Sequence, residues 1–188
     1  MIHKLCDWAN SRDEAVACVY CDFRARNEHS ATELLGVLLK QVVGAQESIP
    51  DEVQTAYNNS QRGLGGRRLS LPDILEILIK SCQKRVFICI DALDEFSAKR
   101  RPELWKSLQQ IVRKCPNTRL FLTGRLHIRE EVQEYFPARA EMLRISPKEP
   151  EIMPYLRVQL AQALGPGAVD EALIADIQTF VLGAVVPP

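Results

Sequence analysis

The sequence predicts an α/β fold in which helices cover both faces of a parallel β-sheet. Short apolar runs recur at residues 17–23, 86–90 and 120–123, with a weaker run at 142–145. Polar or acidic residues follow the runs, as expected where a buried strand leaves a sheet. Patterns typical of amphipathic helices separate the runs. Alternation of strands and helices favours a parallel sheet covered on both faces.

The first helix after the first strand begins at Ser30. Ser30 and Glu33 have the spacing of a capping box, and apolar residues follow at helical spacing: Leu34, Leu35, Leu38, Leu39, Val42 and Val43. A short helix is expected from Pro50 to about residue 57, because proline favours the first helical position. A polar, glycine-rich loop is expected after it, at residues 58–68.

Two more helices flank the second strand. Ser70, with Pro72 and Asp73 behind it, is expected to begin one of them. Pro102 is expected to open the other, with apolar residues at three-and-four spacing up to Cys115. Beyond Ser146 two helical patterns follow without a strand. We therefore expect an α/β core at residues 1–146 and the start of a helical subdomain at 147–188.

The composition excludes some classes of function. Among 188 residues, 24 Lys and Arg balance 24 Asp and Glu, so no net charge favours nucleic acid or an anionic membrane. No apolar run is as long as the ~20 residues of a membrane helix. The six cysteines lie in stretches with the pattern of a core, and we expect reduced thiols and a cytoplasmic protein. Cys18 and Cys21 form a C-x-x-C, but no second pair completes a zinc site.

The segment "RVFICIDALDEF", residues 85–96, is the strongest functional signal. Four apolar residues lead to Asp91, and Asp94 and Glu95 follow within four positions. A carboxylate at the carboxyl end of a buried parallel strand lies where α/β sheets bind ligands. Mg²⁺ prefers oxygen ligands, so Asp91 fits a magnesium role, and Asp94 or Glu95 fits activation of a water. The alternative is that these acids are solvated loop residues or helix caps.

This acidic motif resembles the Walker B segment of STAND-class P-loop NTPases. The resemblance is in particular to NACHT and nephrocystin-like N-terminal domains of fungal proteins that carry ankyrin or WD repeats, and it covers about residues 2–179. The resemblance implies a three-layer P-loop NTPase sheet of the ASCE type. It also implies that Asp91 is the Mg²⁺-associated acid and that Asp94 and Glu95 are catalytic acids linked to hydrolysis.

The segment "RLFLTGR", residues 119–125, resembles the next strand of the same family. It implies that Arg125 is a sensor arginine that contacts the terminal phosphate of the nucleotide. The family often has serine where this chain has Gly124. From the residues alone, an arginine after a strand is more commonly a surface residue paired with a nearby acid.

The phosphate-binding loop of this family, G-x-x-x-x-G-K-[ST], does not occur in the sequence. Gly63, Gly65 and Gly66 have no strand before them and no Lys-Ser or Lys-Thr after them, which favours a flexible connection. By the resemblance, the chain begins just after the loop and its strand, and the sheet lacks a central member. We expect a fragment that binds nucleotide weakly or not at all, with Met1 as a downstream start.

Three hypotheses follow. The first is a signalling switch whose intact parent binds ATP or GTP with Mg²⁺ and hydrolyses it slowly. The second is a non-catalytic fragment that self-associates or pairs with other NACHT-type proteins through surface left bare by the absent strand. The third, ranked last, is a different metal-dependent phosphohydrolase that uses the three acids alone, because no second acidic or histidine cluster completes a two-metal site.

Overall fold

A computed structural model of the chain describes residues 9, 12, 14–22, 30–51, 53–55, 58, 68–82, 84–137, 140–145, 149–164, 172, 174–177 and 179–180. The chain divides into two compact units, Met1–Ala140 and Glu141–Pro188. The predicted domain boundary after Ser146 stays a prediction. Each unit is described by itself below.

The first unit contains a parallel sheet of three strands in the order β1-β2-β3. These are β1 (Ala15–Tyr20), β2 (Val86–Asp91) and β3 (Thr118–Leu122). In the shared register Ala17 lies beside Ile88, and Ile88 lies beside Leu120. The three predicted strands are confirmed, with shifts of a few residues at their ends. A parallel α/β fold is therefore present.

The helices of the first unit begin where the capping signals predicted. Helix α1 (Ala31–Gly44) and helix α2 (Leu71–Ser81) both start with capping boxes, formed by Ser30 with Glu33 and by Ser70 with Asp73. In each box the serine hydroxyl accepts from the backbone N–H three residues on, and the acid accepts from the backbone N–H of the serine. These contacts satisfy donors that a helix start leaves open.

Helix α3 (Arg101–Lys114) follows β2, and helix α4 (Arg129–Tyr135) follows β3. Short 3-10 turns precede each of them, at Leu93–Glu95 and Leu126–Ile128. The predicted helix start at Pro102 is confirmed to within one residue. Helices α3 and α4 each begin beyond the carboxyl end of a strand, so the turns before them lie next to each other.

One face of the sheet carries the core. Alternate strand residues, among them Ala17, Ile88 and Ile90, are fully buried against apolar side chains of α1, α2 and α3. Residues of opposite parity, such as Phe87 and Phe121, stand outside this core cluster. The helices α1, α2 and α3 contribute to the core cluster on the first face, and the expected three-layer arrangement stays a prediction.

The second unit contains helix α5 (Glu149–Leu164), with Pro154 inside it. The predicted strand at residues 142–145 is wrong. These residues form no strand, and Leu143 and Ile145 are 84% and 75% exposed. A short apolar run becomes a strand only where a neighbouring strand accepts its backbone hydrogen bonds, and no such partner lies beside this segment among the described residues.

Several predictions fall on residues that the structure does not describe. They include most of the glycine-rich loop, at residues 59–67. The helix expected from Pro50 is described in part, and there the Gln54 N–H donates to the Pro50 carbonyl at 3.1 Å. The last predicted helix is described only at a few residues between 172 and 180, which are helical.

Candidate functional site at the carboxyl ends of the strands

Asp91 is the last residue of the central strand β2, where the parallel sheet opens toward its connecting loops. Its Oδ1 accepts a short hydrogen bond from the hydroxyl of Thr123, the residue after β3. The Thr123 hydroxyl accepts in turn from the Ala92 N–H at 2.9 Å. Thr123 therefore holds both the carboxylate and the backbone that follows it.

The chain turns sharply after Asp91. Ala92 has φ 53° and ψ 45°, a left-handed conformation that disfavours residues with a Cβ by about 1–2 kcal/mol. The Leu93 N–H then donates to the Thr123 carbonyl at 2.9 Å, and the Leu93 side chain is fully buried. This anchoring sustains the unfavourable turn. As a result the 3-10 turn points Asp94 and Glu95 back toward the end of β3.

Arg125 joins these two acids. Its N–H donates to Asp94 Oδ1 at 3.2 Å, and its Nε lies 3.3 Å from Asp94 Oδ2. Its Nη2 lies 3.4 Å from Glu95 Oε1. The Asp94 side chain is 6% exposed, whereas the Arg125 side chain is 75% exposed. The guanidinium thus covers a nearly buried carboxylate while remaining open to solvent.

Gly124 allows this close approach. A Cβ built at this position would lie 2.5 Å from Ile128 Cδ1 and 3.3 Å from Asp94 Oδ1. Any side chain here would therefore push against Ile128 or the Asp94 carboxylate. The departure from the serine common at this position in the resembling family has a local reason in this chain, namely that Ile128 fills the space.

Cys21 lies one residue beyond β1, and its N–H donates to the Asp91 carbonyl at 3.0 Å. Burial, followed by the negative charges of Asp91 and Asp94, raises the pKa of the Cys21 thiol to about 11. Arg101 acts in the opposite direction and lowers it. The Cys21 thiol is therefore uncharged at physiological pH, and it is a poor nucleophile there.

A cluster of polar contacts joins α3 to α4, the helix that follows Arg125. Glu131 on α4 accepts from Trp105 Nε1 at 2.7 Å, and its other oxygen lies 3.4 Å from Arg101 Nη1. Trp105 also stacks on Tyr135, with ring centroids 5.9 Å apart. Arg101 is 3% exposed, and its Nε makes no hydrogen bond. These contacts tie α4, and with it the segment after Arg125, to the main core.

The structure brings together all four residues predicted for the site. Asp91, Asp94, Glu95 and Arg125 lie at the same end of the sheet, linked through Thr123 and the turn after β2. The ion pair also matches the simpler expectation that Arg125 is a surface residue paired with nearby acids. The roles assigned to these residues stay predictions.

Sequence reasoning missed Thr123 and Cys21 as parts of the site. Both follow from strand parity and register, because each stands at the end of a strand that flanks β2. The signal that could have identified Thr123 is a polar residue at the end of β3, the next strand after the one that ends at Asp91. The contact of Arg101 with Glu131 joins residues 30 positions apart and left no local signal.

The donor chemistry of the site fits a hard cation that is completed by a ligand. Carboxylate and hydroxyl oxygens are the donors that Mg²⁺ accepts, and Mg²⁺ often uses one or two carboxylates together with phosphates and waters. Among the described residues, no group of three or more His, Cys, Asp or Glu side chains forms a self-sufficient metal cage. Asp91 alone is thus suited to a metal that arrives with a phosphate ligand.

The fold and site define a class of protein, namely an α/β domain with an acidic cluster and an arginine at the carboxyl ends of a parallel sheet. The family model described as nephrocystin 3, N-terminal, matches residues 1–125 of the 188-residue chain. The chain belongs to this nephrocystin 3 N-terminal family. The match contains all three strands and ends at Arg125. No curated protein matches the sequence.

The length and apolar character of the helices decide whether any of them could cross a membrane. Within the part of the chain that the structure describes, none has the length and apolar character needed to cross a bilayer.

Proposed function

We propose that this chain is part of a NACHT-type nucleotide-binding signalling switch, whose intact parent binds ATP or GTP and hydrolyses it slowly. The observation that carries the proposal is the pairing of Arg125 with Asp94 and Glu95 beside Asp91. An arginine and three acids at the ligand-binding end of a parallel sheet match the needs of a phosphate and its counter-ion. The membership of the chain in the nephrocystin 3 N-terminal family also supports this proposal.

The proposed roles follow from the contacts. Asp91 would hold Mg²⁺, which supplies charge neutralisation at the phosphates when it is bound. Thr123 binds one Asp91 oxygen through its hydroxyl, so the other Asp91 oxygen would be the one that reaches the metal. Arg125 would contact the terminal phosphate, and Asp94 or Glu95 would orient the attacking water.

These roles cannot all be fulfilled in the arrangement described. The Arg125 guanidinium is engaged by Asp94 and Glu95, the same two acids proposed to act on water. A phosphate ligand would therefore draw Arg125 away and free the acids at the same time. The Arg125 backbone N–H can keep its bond to Asp94 during this exchange, because only the side chain needs to turn.

The test uses a version of the chain extended upstream through a G-x-x-x-x-G-K-[ST] segment. We expect it to bind ATP or GTP with Mg²⁺ in titration calorimetry, and we expect Asp91→Ala to abolish binding. Glu76→Gln is the matched control, because Glu76 is an exposed acid in an α2 ion pair with Lys80. An extended version that ignores both nucleotides would contradict the proposal. The chain as given is expected to bind weakly or not at all.

A second candidate function is protein interaction, either self-association or pairing with other NACHT-type proteins. The observation that favours it is the outer edge of β3, which has no strand beside it among the described residues. An apolar parallel strand with an open edge is a template for another strand. A clean monomer in analytical ultracentrifugation that also fails to bind other NACHT-type domains would count against this function.

The two candidates compete for one surface. By the resemblance the intact sheet has a further central strand, and that strand needs an edge on which to pair. The edge of β3 has no strand beside it among the described residues, whereas on the β1 edge Gln41 of α1 binds both backbone groups of Cys18. A parent with the upstream strand would then be unable to use the β3 edge for other partners.

A further inference from the structure

Arg101 begins helix α3, and it is a cation in an unfavourable place. Its side chain is 3% exposed, and burial of a charged group costs free energy that good partners must offset. It also stands at the amino end of a helix, where the helix dipole disfavours a positive charge. Among the described residues its Nε and Nη1 make no hydrogen bond, and its ion pair is the contact of Nη1 with Glu131 Oε1 at 3.4 Å. Stability alone therefore does not account for this arginine.

Glu131 joins Arg101 to helix α4. Its Oε2 accepts from Trp105 Nε1 at 2.7 Å, while its Oε1 is the atom that lies near Arg101. Arg101 and Trp105 are four positions apart on α3, so they lie on the same face of that helix. The two oxygens of one carboxylate are thus engaged by two residues of α3. This double contact fixes the position of Glu131 relative to α3.

The start of α4 in turn holds the backbone of Arg125. The Ile128 N–H donates to the Arg125 carbonyl at 3.2 Å, and Ile128 Cδ1 would lie 2.5 Å from a Cβ built at Gly124. Ile128 is buried and is the residue that precedes α4. On its other side, the Arg125 N–H donates to Asp94 Oδ1 at 3.2 Å. Arg125 is therefore set between the start of α4 and the acidic turn after β2.

The charge of Arg101 also acts on the acidic end of the sheet. Burial raises the pKa of the Cys21 thiol most, and the negative charges of Asp91 and Asp94 raise it further. Arg101 lowers this pKa. The same thiol thus responds to the acids and to Arg101, so the buried guanidinium lies within electrostatic range of the candidate site.

We propose that Arg101 is a positioning residue for Arg125. It fixes the second oxygen of Glu131, and Glu131 holds the start of α4, which keeps the Arg125 N–H on Asp94. The bond from Trp105 alone would leave the carboxylate free to turn about its last torsion, because that torsion is broad. The consequence of this placement for a nucleotide rests on the proposed function, whereas the placement itself does not.

Amide hydrogen exchange in the full chain, measured residue by residue by NMR, tests the placement. Arg101→Met keeps an unbranched side chain and removes the buried charge, so the variant is expected to fold. We expect exchange of the Arg125 N–H to become about tenfold faster or more, because its bond to Asp94 is held less well. The Leu93 N–H, which donates to the Thr123 carbonyl, is expected to change by less than about twofold. Loss of global stability would instead speed both amides by the same factor.

Gln109→Leu is the matched control on the same two helices. Gln109 Nε2 donates to the carbonyl of Tyr135, the last residue of α4, at 2.8 Å. The change therefore removes a contact between α3 and α4 without touching Glu131. Exchange of the Arg125 N–H is expected to stay within about twofold of wild type.

Glu131→Gln is a second variant, which reaches the same contact from α4. Its amide oxygen can still accept from Trp105 Nε1, but its NH₂ group then faces the Arg101 guanidinium, which is also a donor. It is expected to speed exchange of the Arg125 N–H as Arg101→Met does. The two variants therefore test the pair from both sides.

The consequence for the nucleotide is tested in the version extended upstream through a G-x-x-x-x-G-K-[ST] segment. Arg101→Met is expected to slow hydrolysis in a single turnover by about tenfold, because Arg125 meets the terminal phosphate in a poorer position. Affinity for the nucleoside diphosphate, which lacks that phosphate, is expected to stay within about twofold. Gln109→Leu is expected to leave both quantities unchanged.

The outcomes separate this inference from the proposed function. Unchanged exchange of the Arg125 N–H in Arg101→Met and Glu131→Gln, or an equal increase at Arg125 and Leu93, would overturn the positioning role. An equal response to Gln109→Leu would also overturn it, since any contact of α4 would then suffice. Faster exchange with unchanged hydrolysis would refute the link to the nucleotide. An extended version that binds no nucleotide would contradict the proposed function, and the exchange rates would still decide the positioning role.

Discussion

The two outer strands of the sheet have similar lengths and a common neighbour, yet their edges have opposite character. Gln41 covers β1 with two short hydrogen bonds to Cys18, whereas Leu120 and Leu122 of β3 have no strand to receive their outward backbone groups among the described residues. The comparison shows that one polar side chain on a neighbouring helix can satisfy both outward backbone groups of an edge residue, here those of Cys18.

The carboxyl ends of the same two strands differ much less, because both converge on Asp91. Cys21 follows β1 and binds the Asp91 carbonyl, while Thr123 follows β3 and binds the Asp91 carboxylate. The β3 edge thus has no neighbouring strand among the described residues, although hydrogen bonds of Thr123 hold the carboxyl end of β3. The following predictions test this contrast between the edges and between edge and end, beginning with the largest expected effect.

Gln41→Leu is expected to lower the free energy of unfolding by about 2 to 4 kcal/mol, since two backbone groups of Cys18 lose their partners. Chemical denaturation measures the loss. Gln41→Glu tests the donor alone: a carboxylate still accepts from the Cys18 N–H but sets a second acceptor against the Cys18 carbonyl, so it is expected to recover little of the loss. Equal stability of all three proteins would mean that Gln41 does not hold the edge of β1.

Gly124→Ala is expected to lower the free energy of unfolding by about 1–3 kcal/mol, because the new Cβ overlaps Ile128 Cδ1. Thermal and chemical unfolding curves measure this change. Gly44→Ala is the matched control at the end of α1, where a Cβ meets nothing within 4 Å. The control is expected to be neutral or to gain up to about 1 kcal/mol from the better helix propensity of alanine. Similar losses at both positions would contradict tight packing at the end of β3.

Arg125→Gln is expected to lower the free energy of unfolding by at most about 1 kcal/mol, because the guanidinium is mostly exposed although Asp94 is nearly buried. The difference from wild type should shrink as sodium chloride is added. Lys80→Gln breaks the exposed pair with Glu76 and is expected to have a smaller effect, below about 0.5 kcal/mol. A larger effect for Lys80→Gln would show that Arg125 does not stabilise the acids.

Cys21 should report the charge of Asp91 through its reaction with iodoacetamide. Its thiol is neutral in the fold up to a pKa of about 11, against an ordinary value of 9.0, so its contribution to stability is complete below pH 9 and is lost as the pH rises toward 11. Asp91→Asn removes the second cause of the shift after burial. We expect a few-fold faster alkylation of Cys21 at pH 9, read by peptide mass spectrometry, and no change for Glu76→Gln.

The parts of the fold that depend on local sequence could be predicted well. The capping boxes at Ser30 and Ser70 fix the starts of α1 and α2, because the side chains and backbone groups that form them lie within four residues. The strands were recognisable since a buried parallel strand is apolar throughout. The run at 142–145 has the same appearance but no neighbouring strand, and it shows that pattern alone does not create a sheet.

The charged residues of the candidate site could be predicted from the sequence, but the residues that hold them in place could not. Asp91, Asp94 and Glu95 are close in sequence, and the acidic motif names them together. Thr123 and the contact of Gln41 with Cys18 depend on register and on which helix crosses which strand, and these are properties of tertiary packing. The sequence shows Gly124 only as a departure from serine, and the reason for glycine lies in the position of Ile128.

Trp105 gives the protein an intrinsic optical probe at the junction of α3 and α4. It is one of two tryptophans, its side chain is fully buried, and its indole N–H is bound to Glu131. Detachment of α4 would expose this indole to water and shift its fluorescence emission to the red. Movements of the segment that carries Arg125 can therefore be followed without an attached dye.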